Sequence, residues 1–190
     1  MIIPGISSGK DADMKSLAIL GAAGRMGRTL IRCLQSGAVP GLKLSAAGDL
    51  WDCPDLGRDA GEMAGAGSAE VPVTADLAAA VMSSDVVIDF SGHHGTAGNA
   101  PRCAEWGKPL VIGTTGLTAD EEEFVRRAAE RIPVVMAPNM SLGVNLLFKL
   151  VELGARALDA EYDVEIFEAH HRHKVDAPSG TALGLGHAVA

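Results

Sequence analysis

A glycine-rich turn near the start of the chain constrains the possible folds more than any other feature. An apolar run at residues 17–20 leads directly into this turn, and apolar residues then recur at helical spacing until Gly37. The pattern predicts a strand, a tight turn and a helix. The glycines are Gly21, Gly24 and Gly27, a GxxGxxG spacing that on its own is as consistent with a simple connection as with a nucleotide site.

The next apolar run strengthens the case for a dinucleotide. It spans residues 42–48 and ends at Asp49, about 20 residues after the turn, where a carboxylate can accept hydrogen bonds from an adenosine ribose. Together the turn and the carboxylate favour a dinucleotide site over a simple connection. The predicted contacts here are Gly21, Ala22, Ala23, Gly24, Arg25, Met26, Gly27 and Asp49.

The following segments alternate between strand and helix patterns. Pro101 is expected to prevent one unbroken helix before the next strand, and residues 53–68 are expected to form a loop or a ragged helix. The alternation predicts an α/β fold, a Rossmann-type doubly wound parallel sheet with ligands at the carboxyl ends of its strands. Further predicted strands are 86–90, 109–112 and 134–136, and further predicted helices are 76–82, about 101–106 and about 118–131.

The rhythm changes near residue 140, so the chain is predicted to have three parts. Residues 1–13 form a flexible N-terminal extension, residues 14–139 a dinucleotide-binding domain, and residues 140–190 the start of an α+β substrate-binding domain.

The third part has its own pattern of elements. It is predicted to contain an apolar helix at residues 141–158, a strand at residues 162–167 and a terminal helix. A stripe on the apolar helix is expected to be core, and it consists of Leu146, Leu147, Leu150 and Val151.

A cationic cluster precedes the terminal helix. Three histidines, one arginine and one lysine occupy consecutive positions, which suits a carboxylate-bearing substrate and a reaction that needs a proton donor near neutral pH. The helix then opens at Ser179, Gly180 and Thr181, where free N–H groups can hold a carboxylate. The cluster consists of His170, His171, Arg172, His173 and Lys174.

Composition and charge exclude several classes of protein. The formal net charge of -8 argues against a nucleic-acid partner, which requires a basic surface. No apolar run is long enough to span a membrane, and the N-terminal residues lack the layout of a signal peptide. Cys33, Cys53 and Cys103 show no metal or disulfide spacing, so they are expected to be reduced thiols of a cytoplasmic protein.

The segment that includes the cationic cluster resembles the signature of the dihydrodipicolinate reductase family. It reads EAHHRHKVDAPSGTA over residues 168–182, and the likeness extends from about residue 14 to residue 190 with the motifs in the family's order. The resemblance implies reduction of 4-hydroxy-tetrahydrodipicolinate (dihydrodipicolinate) to tetrahydrodipicolinate by NADH or NADPH. This step belongs to diaminopimelate and lysine biosynthesis, and the whole protein is expected to be a homotetramer.

The resemblance also implies roles for individual residues. His170 and Lys174 match the family's proton donors. The residues matched to substrate contacts are His171, Lys174, Ser179, Gly180 and Thr181. Those matched to the nicotinamide end of the cofactor site are Gly113, Thr114, Thr115, Ala137, Pro138, Asn139 and Met140.

Three features depart from the family pattern. Residues 92–94 (Gly-His-His) stand where the family usually has a proline-containing turn. Leu50 stands where some members have arginine, so NADH is expected to bind at least as tightly as NADPH. Family members continue well beyond the signature, which implies C-terminal truncation. The alternative function is therefore a dinucleotide-binding module that does not turn over.

Other histidines and carboxylates have simpler interpretations. A transition-metal site at His170, His171 and His173 is disfavoured, since tight sites usually draw ligands from more than one element and Lys174 would repel the ion, so no metal site is predicted. His93 and His94 are expected to form a solvated loop pair. Glu168 has two interpretations, orienting a histidine or simply ending a strand.

Overall fold

The computed structural model describes residues 14–158, 162–172 and 177–190. Six strands and seven helices lie within these ranges. In chain order they are β1 (Lys15–Leu20), α1 (Arg25–Gln35), β2 (Leu42–Gly48), α2 (Ala60–Ala64), β3 (Val73–Thr74), α3 (Leu77–Met82), β4 (Val86–Asp89), α4 (His93–Glu105), β5 (Leu110–Ile112), α5 (Ala119–Ala129), β6 (Val134–Met136), α6 (Leu142–Leu158) and α7 (Gly180–Val189).

The strands form one parallel sheet in the order β3-β2-β1-β4-β5-β6. This is the doubly wound order, in which the chain first builds outward from β1 to β3 and then crosses to β4. The crossing leaves a crevice at the carboxyl ends of β1 and β4, where ligands of such sheets bind. The predicted fold class is confirmed.

Both faces of the sheet are covered by helices, as the side-chain alternation of β1 requires. Leu17 and Ile19 point to one face and pack in a cluster with Ile31 of α1. Ala18 and Leu20 point to the other face and belong to a cluster that includes residues of α4 and α5. β1 is therefore buried on both sides, which explains its uninterrupted apolar sequence.

Helix α4 runs unbroken through Pro101, so the predicted break is wrong. Proline has no N–H to donate to the carbonyl of Ala97 four residues earlier, which usually kinks or ends a helix. Here Pro101 lies on the exposed side, where water can reach the freed carbonyl. The opposite side is buried and packs against α5, which stabilises the helix on both sides of the proline.

The predicted strand at residues 162–167 is also wrong. The backbone of these residues pairs with no strand in the described part of the chain, and Phe167 is 93% exposed. Apolar alternation alone does not make a strand, because its N–H and C=O groups need a neighbouring strand. In contrast, β3 is a strand of two residues beside β2, too short to be predicted from periodicity.

The apolar helix α6 is confirmed, but its leucine stripe is not core. Leu146, Leu147 and Leu150 are 57%, 45% and 57% exposed, and Val151 is half-buried. Helix α6 contacts α7, and this contact leaves much of the stripe exposed. No helix in the described ranges has both the length and the apolarity to cross a membrane. The predicted extension, residues 1–13, lies outside these ranges.

Candidate functional site

The carboxyl edge of the sheet carries two clefts that meet at the end of β4. The first cleft lies over the ends of β1, β2 and β3 and includes Ser91. The second cleft lies toward β5 and β6 and includes Phe90. Both are formed by segments that follow a strand, which is where a doubly wound sheet binds its ligands.

The glycine-rich turn between β1 and α1 has the geometry that its sequence predicts. Gly21 has a positive φ of 75°, a conformation that residues with a side chain rarely adopt. A Cβ on Gly27 would lie 2.3 Å from the carbonyl oxygen of Gly21, so helix α1 packs against the turn only because residue 27 is glycine. The tight turn at Gly21 and the close packing at Gly27 bring the start of α1 to the edge of the crevice.

The N-terminus of α1 can bind a pyrophosphate. Its first intrahelical bond runs from the Arg28 N–H to the Gly24 carbonyl at 3.0 Å, so the N–H groups of the three preceding helical residues have no helical acceptor. Gly24, the N-cap residue, has no side chain to cap them, and the first turn contains no acidic residue. The predicted residues Arg25, Met26 and Gly27 therefore offer backbone donors at the positive end of a helix dipole.

Asp49 connects the end of β2 to the glycine-rich turn. Its Oδ2 atom accepts a hydrogen bond from the Ala23 N–H at 2.7 Å, and its Oδ1 accepts one from the Leu50 N–H at 2.8 Å. Asp49 also lines the first cleft together with Trp51, whose ring is 81% exposed. The predicted ribose acceptor thus lies beside the predicted phosphate site.

Sequence reasoning missed one cation that lines the first cleft. Arg102 lines the first cleft from α4, whereas Arg58 forms an ion pair with Asp55 and does not line it. Gly95, Asn99 and Arg102 all line the cleft, because their spacing places them on one face of α4. The sequence contains that spacing, but the predicted break at residue 101 placed Arg102 in a different element from Gly95 and Asn99.

The second cleft brings together most of the residues predicted for the nicotinamide end. Met26 and Gly113 line it, as do Ala137, Pro138, Asn139 and Met140. Thr114 is buried, and its hydroxyl accepts a hydrogen bond from the Thr96 hydroxyl at 2.9 Å. Thr115 is exposed and is not among the residues that line either cleft.

Glu168 holds the start of α7 and one histidine of the cationic cluster. Its Oε1 accepts a hydrogen bond from the Ser179 N–H at 2.9 Å, and its Oε2 lies 2.8 Å from His170 Nε2. Hydrogen bonds from the Ser179 side chain and from His170 lower the pKa of Glu168 to about 2. Glu168 therefore orients a histidine as an ionised carboxylate, and it does not end a strand.

The opening of α7 matches the predicted anion site in part. Ser179 is the N-cap residue, and its side chain accepts a hydrogen bond from the Ala182 N–H at 3.1 Å. Glu168 accepts the Ser179 N–H, and the Ser179 side chain accepts the Ala182 N–H. The N–H groups of Gly180 and Thr181 also precede the first intrahelical bond, and these two are the candidate donors to an anion.

The two predicted halves of the site contact each other. The Asn139 side-chain amide donates a hydrogen bond to the Thr181 hydroxyl at 3.2 Å. Pro138 lies next to Gly180, where a Cβ would be 3.7 Å from the Pro138 Cβ. His171 and Arg172 are exposed. His173 and Lys174 lie outside the described residues, so the structure does not place them.

His93 and His94 do not form the predicted solvated loop pair. Both belong to the first turn of α4, and both imidazoles contact the carboxylate of Glu121 in the first turn of α5. Thr118 and Glu121 form a capping box at the start of α5, which holds this carboxylate in place.

Two family models match the chain. The model described as dihydrodipicolinate reductase, N-terminus, matches residues 15–140, and the one described as dihydrodipicolinate reductase, C-terminus, matches residues 143–190. A 4-hydroxy-tetrahydrodipicolinate reductase of Halorhodospira halophila is 55% identical over 174 residues, which cover 92% of this chain and 64% of that protein. One from Anaeromyxobacter dehalogenans is 49% identical over 177 residues, which cover 93% and 65%.

A similar solved structure is the dipicolinate-bound dihydrodipicolinate reductase from Paenisporosarcina sp. TG-14. It is 31% identical, with a TM-score of 0.68, and the match covers 93% of this chain and 66% of that one. The chain thus spans 64% and 65% of the length of the two curated relatives described above.

Proposed function

Because the chain belongs to the dihydrodipicolinate reductase family, we propose that the whole protein reduces 4-hydroxy-tetrahydrodipicolinate to tetrahydrodipicolinate with NADH or NADPH. This step serves diaminopimelate and lysine biosynthesis. One observation carries the proposal: the Asn139 amide contacts the Thr181 hydroxyl at 3.2 Å, so the loop beside the second cleft touches the opening of α7. A dinucleotide that spans both clefts would end beside the residues assigned to the substrate.

The residues at the carboxyl edge of the sheet suit a dinucleotide. The uncapped first turn of α1 would bind the pyrophosphate, and Asp49 would accept hydrogen bonds from the adenosine ribose. Gly113 and residues 137–140 would surround the nicotinamide, since they line the second cleft. Thr114 would act by holding its loop in place, because its hydroxyl is already bonded to Thr96.

The opening of α7 suits a dicarboxylate. The N–H groups of Gly180 and Thr181 precede the first intrahelical bond and lie at the positive end of the helix dipole. His171 is assigned to the substrate on its place in the family motif. The Paenisporosarcina relative is a dipicolinate-bound reductase, and dipicolinate is a planar dicarboxylate, which supports this assignment.

The cationic cluster supplies the proton. When bound, the dinucleotide would supply a hydride for C4 of the conjugated cyclic imine that forms once the 4-hydroxyl has left as water, and one proton would then be needed at the ring carbon next to C4, which shares the electron pair with the ring nitrogen. Since His170 Nε2 contacts Glu168 at 2.8 Å, its Nδ1 is the nitrogen that donates, and the carboxylate stabilises the protonated ring. Lys174 is assigned as the second donor on its place in the motif.

We also propose a domain boundary near residue 140, because one family model ends at residue 140 and the other begins at residue 143.

An assay with substrate generated in situ tests the proposal. In the whole protein, the nicotinamide absorbance should fall only when both substrate and enzyme are present. Pyridine-2,6-dicarboxylate should inhibit competitively with the substrate. If the protein binds the dinucleotide but causes no substrate-dependent oxidation, the reductase assignment is wrong and a dinucleotide-binding module without turnover replaces it.

A further inference from the structure

A cluster of two histidines and one carboxylate lies where the first turn of α4 meets the first turn of α5. His93 Nδ1 is 3.0 Å from each oxygen of Glu121, and His94 Nδ1 is 2.7 Å from Oε1. Neighbouring residues of a helix normally point in different directions, yet both imidazoles converge on one carboxylate. None of the three residues lines either cleft, so the proposed reductase function does not account for this cluster.

We propose that His93, His94 and Glu121 bind a zinc ion. Their candidate ligand atoms all lie within 4.8 Å of one another, and they come from two separate elements. Two imidazole nitrogens and one carboxylate oxygen are a ligand set that suits zinc, with water in the fourth position. Magnesium and calcium prefer oxygen ligands alone, so the cluster discriminates against them.

The contacts between the imidazoles and the carboxylate are close to the separations that zinc requires. Tetrahedral zinc with bonds of about 2.0–2.1 Å to nitrogen and oxygen places its ligand atoms about 3.3 Å apart. The present separations of 2.7 and 3.0 Å are those of hydrogen bonds, so each imidazole would move outward by a few tenths of an ångström. His94 is 85% exposed and His93 is 42% exposed, so both rings can move and the ion can enter from solvent.

The carboxylate is prepared for a cation. Its Oε2 accepts a hydrogen bond from the Thr118 N–H at 2.8 Å, which leaves Oε1 directed at the histidines. That backbone bond therefore fixes the carboxylate with one oxygen facing both imidazoles. A ligand held from behind in this way is typical of metal sites.

Two helix N-termini meet at the cluster, and their dipoles disfavour a cation. At an exposed position this effect lowers affinity by no more than about fivefold per helix. Each imidazole faces Glu121 of α5 and the other imidazole, and the two ring centroids are 3.9 Å apart.

Calorimetric titration of the 190-residue chain with zinc chloride tests the proposal. One zinc should bind at this cluster, and His94→Ala should weaken binding at least about tenfold, since even residues behind the ligands typically cost 10–100-fold. His94 is largely exposed, so the substitution should leave the fold intact. His187→Ala removes an exposed histidine from α7 and is the matched control, which should titrate like the parent. An equal concentration of magnesium chloride should not compete.

Two further variants make the outcome decisive. His93→Asn should also lose zinc, and Glu121→Gln should do so even where circular dichroism indicates that α5 is retained. If His94→Ala binds zinc as tightly as the parent, the proposal is wrong. It is equally wrong if His171→Ala abolishes binding while His94→Ala does not, because the ion would then bind at residues 170–174.

Discussion

Asp49 and Arg102 bring opposite charges to the first cleft from two different elements. Asp49 follows β2 and lies beside the glycine-rich turn, whereas Arg102 reaches the cleft from α4. A carboxylate favours the free hydroxyls of an NADH ribose and opposes the additional phosphate of NADPH. The cofactor preference therefore depends on whether Arg102 reaches that phosphate.

We predict that NADH binds at least as tightly as NADPH, because Leu50 supplies no charge next to Asp49. Trp51 lines the first cleft and should report binding through its fluorescence. Leu50→Arg should shift the preference toward NADPH by roughly 10- to 100-fold, which is the effect of a charge-assisted hydrogen bond of about 1.5–3 kcal/mol. Clearly tighter NADPH binding by the parent would contradict the prediction, and loss of that preference in Arg102→Gln would then identify the cation.

His170 and Lys174 should control turnover without controlling cofactor affinity. In the whole protein, His170→Ala should lower kcat by about 10²–10⁴-fold, the usual contribution of a well-placed proton donor. Lys174→Ala should act in the same direction. The dissociation constant for NADH should stay within about twofold of the parent, since His170 lines neither cleft and Lys174 is assigned to the substrate.

Glu168→Gln provides the control for this assignment. It keeps the shape of the side chain but removes the carboxylate that contacts His170 Nε2, so kcat should fall while the dissociation constant for NADH stays close to that of the parent. A His170→Ala variant with parental turnover would show that the proton comes from elsewhere.

At the scale of a single element, the opening of α7 allows a sharp test of the carboxylate site. Gly180 is the first helical residue, where proline is well tolerated, and Ser179 has a ψ of 157°, which suits a residue before proline. Gly180→Pro should therefore remove one N–H donor without breaking the helix. We predict a large increase in KM for the substrate and little change in the melting temperature.

Thr181→Ser is the matched control for Gly180→Pro. It keeps both the backbone N–H and the hydroxyl that contacts Asn139, so its KM should resemble that of the parent. An unchanged KM in Gly180→Pro, with pyridine-2,6-dicarboxylate still bound at parental affinity, would exclude this N–H from the substrate site.

Helix α4 shows where sequence reasoning is limited at this scale. Its buried face supplies packing that outweighs the local penalty of Pro101, and no local pattern contains that information. The error had a consequence for the site, since Arg102 was not recognised as a residue of the first cleft. The glycine-rich turn, in contrast, was predictable because its constraints are local to residues 21–27.

For the molecule as a whole, the pattern of apolar runs predicted the sheet but not what covers each surface. Strands β1, β2, β4, β5 and β6 have their hydrogen-bonding partners within one sheet, so their apolar runs were sufficient to predict them. Residues 162–167 and the leucines of α6 carry the same kind of signal. They are largely exposed, because no described strand pairs with residues 162–167 and the contact of α6 with α7 covers only part of the leucines. A periodic pattern indicates that a segment can be buried, and burial itself depends on a partner.

Several ionised carboxylates should determine how stability depends on pH. Asp59 caps α2, and hydrogen bonds, the largest from the Ala69 N–H, lower its pKa to about 2. A lowered pKa in the folded state stabilises the protein above the ordinary carboxyl pKa of about 4 and loses that effect as the pH falls toward 2. The melting temperature should therefore be nearly constant from neutral pH to about pH 5 and fall below it.

Asp59→Asn should flatten this decline and lower the melting temperature at neutral pH. Asp163→Asn, at an exposed position outside the helices and strands, is the matched control and should follow the parent curve. Thermal unfolding followed by circular dichroism between pH 2 and pH 8 gives both curves. A parent and an Asp59→Asn variant with parallel curves would contradict the assignment.

The central claim is that the whole protein transfers a hydride from the nicotinamide to C4 of the cyclic substrate. The most direct measurement uses NADH carrying deuterium at the transferable position of the nicotinamide, with substrate generated in situ and the product analysed by mass spectrometry. We expect a tetrahydrodipicolinate product that carries one deuterium at C4, formed in step with dinucleotide oxidation. Oxidation of the dinucleotide without deuterium in the product, or dinucleotide binding with no product formed, would contradict it.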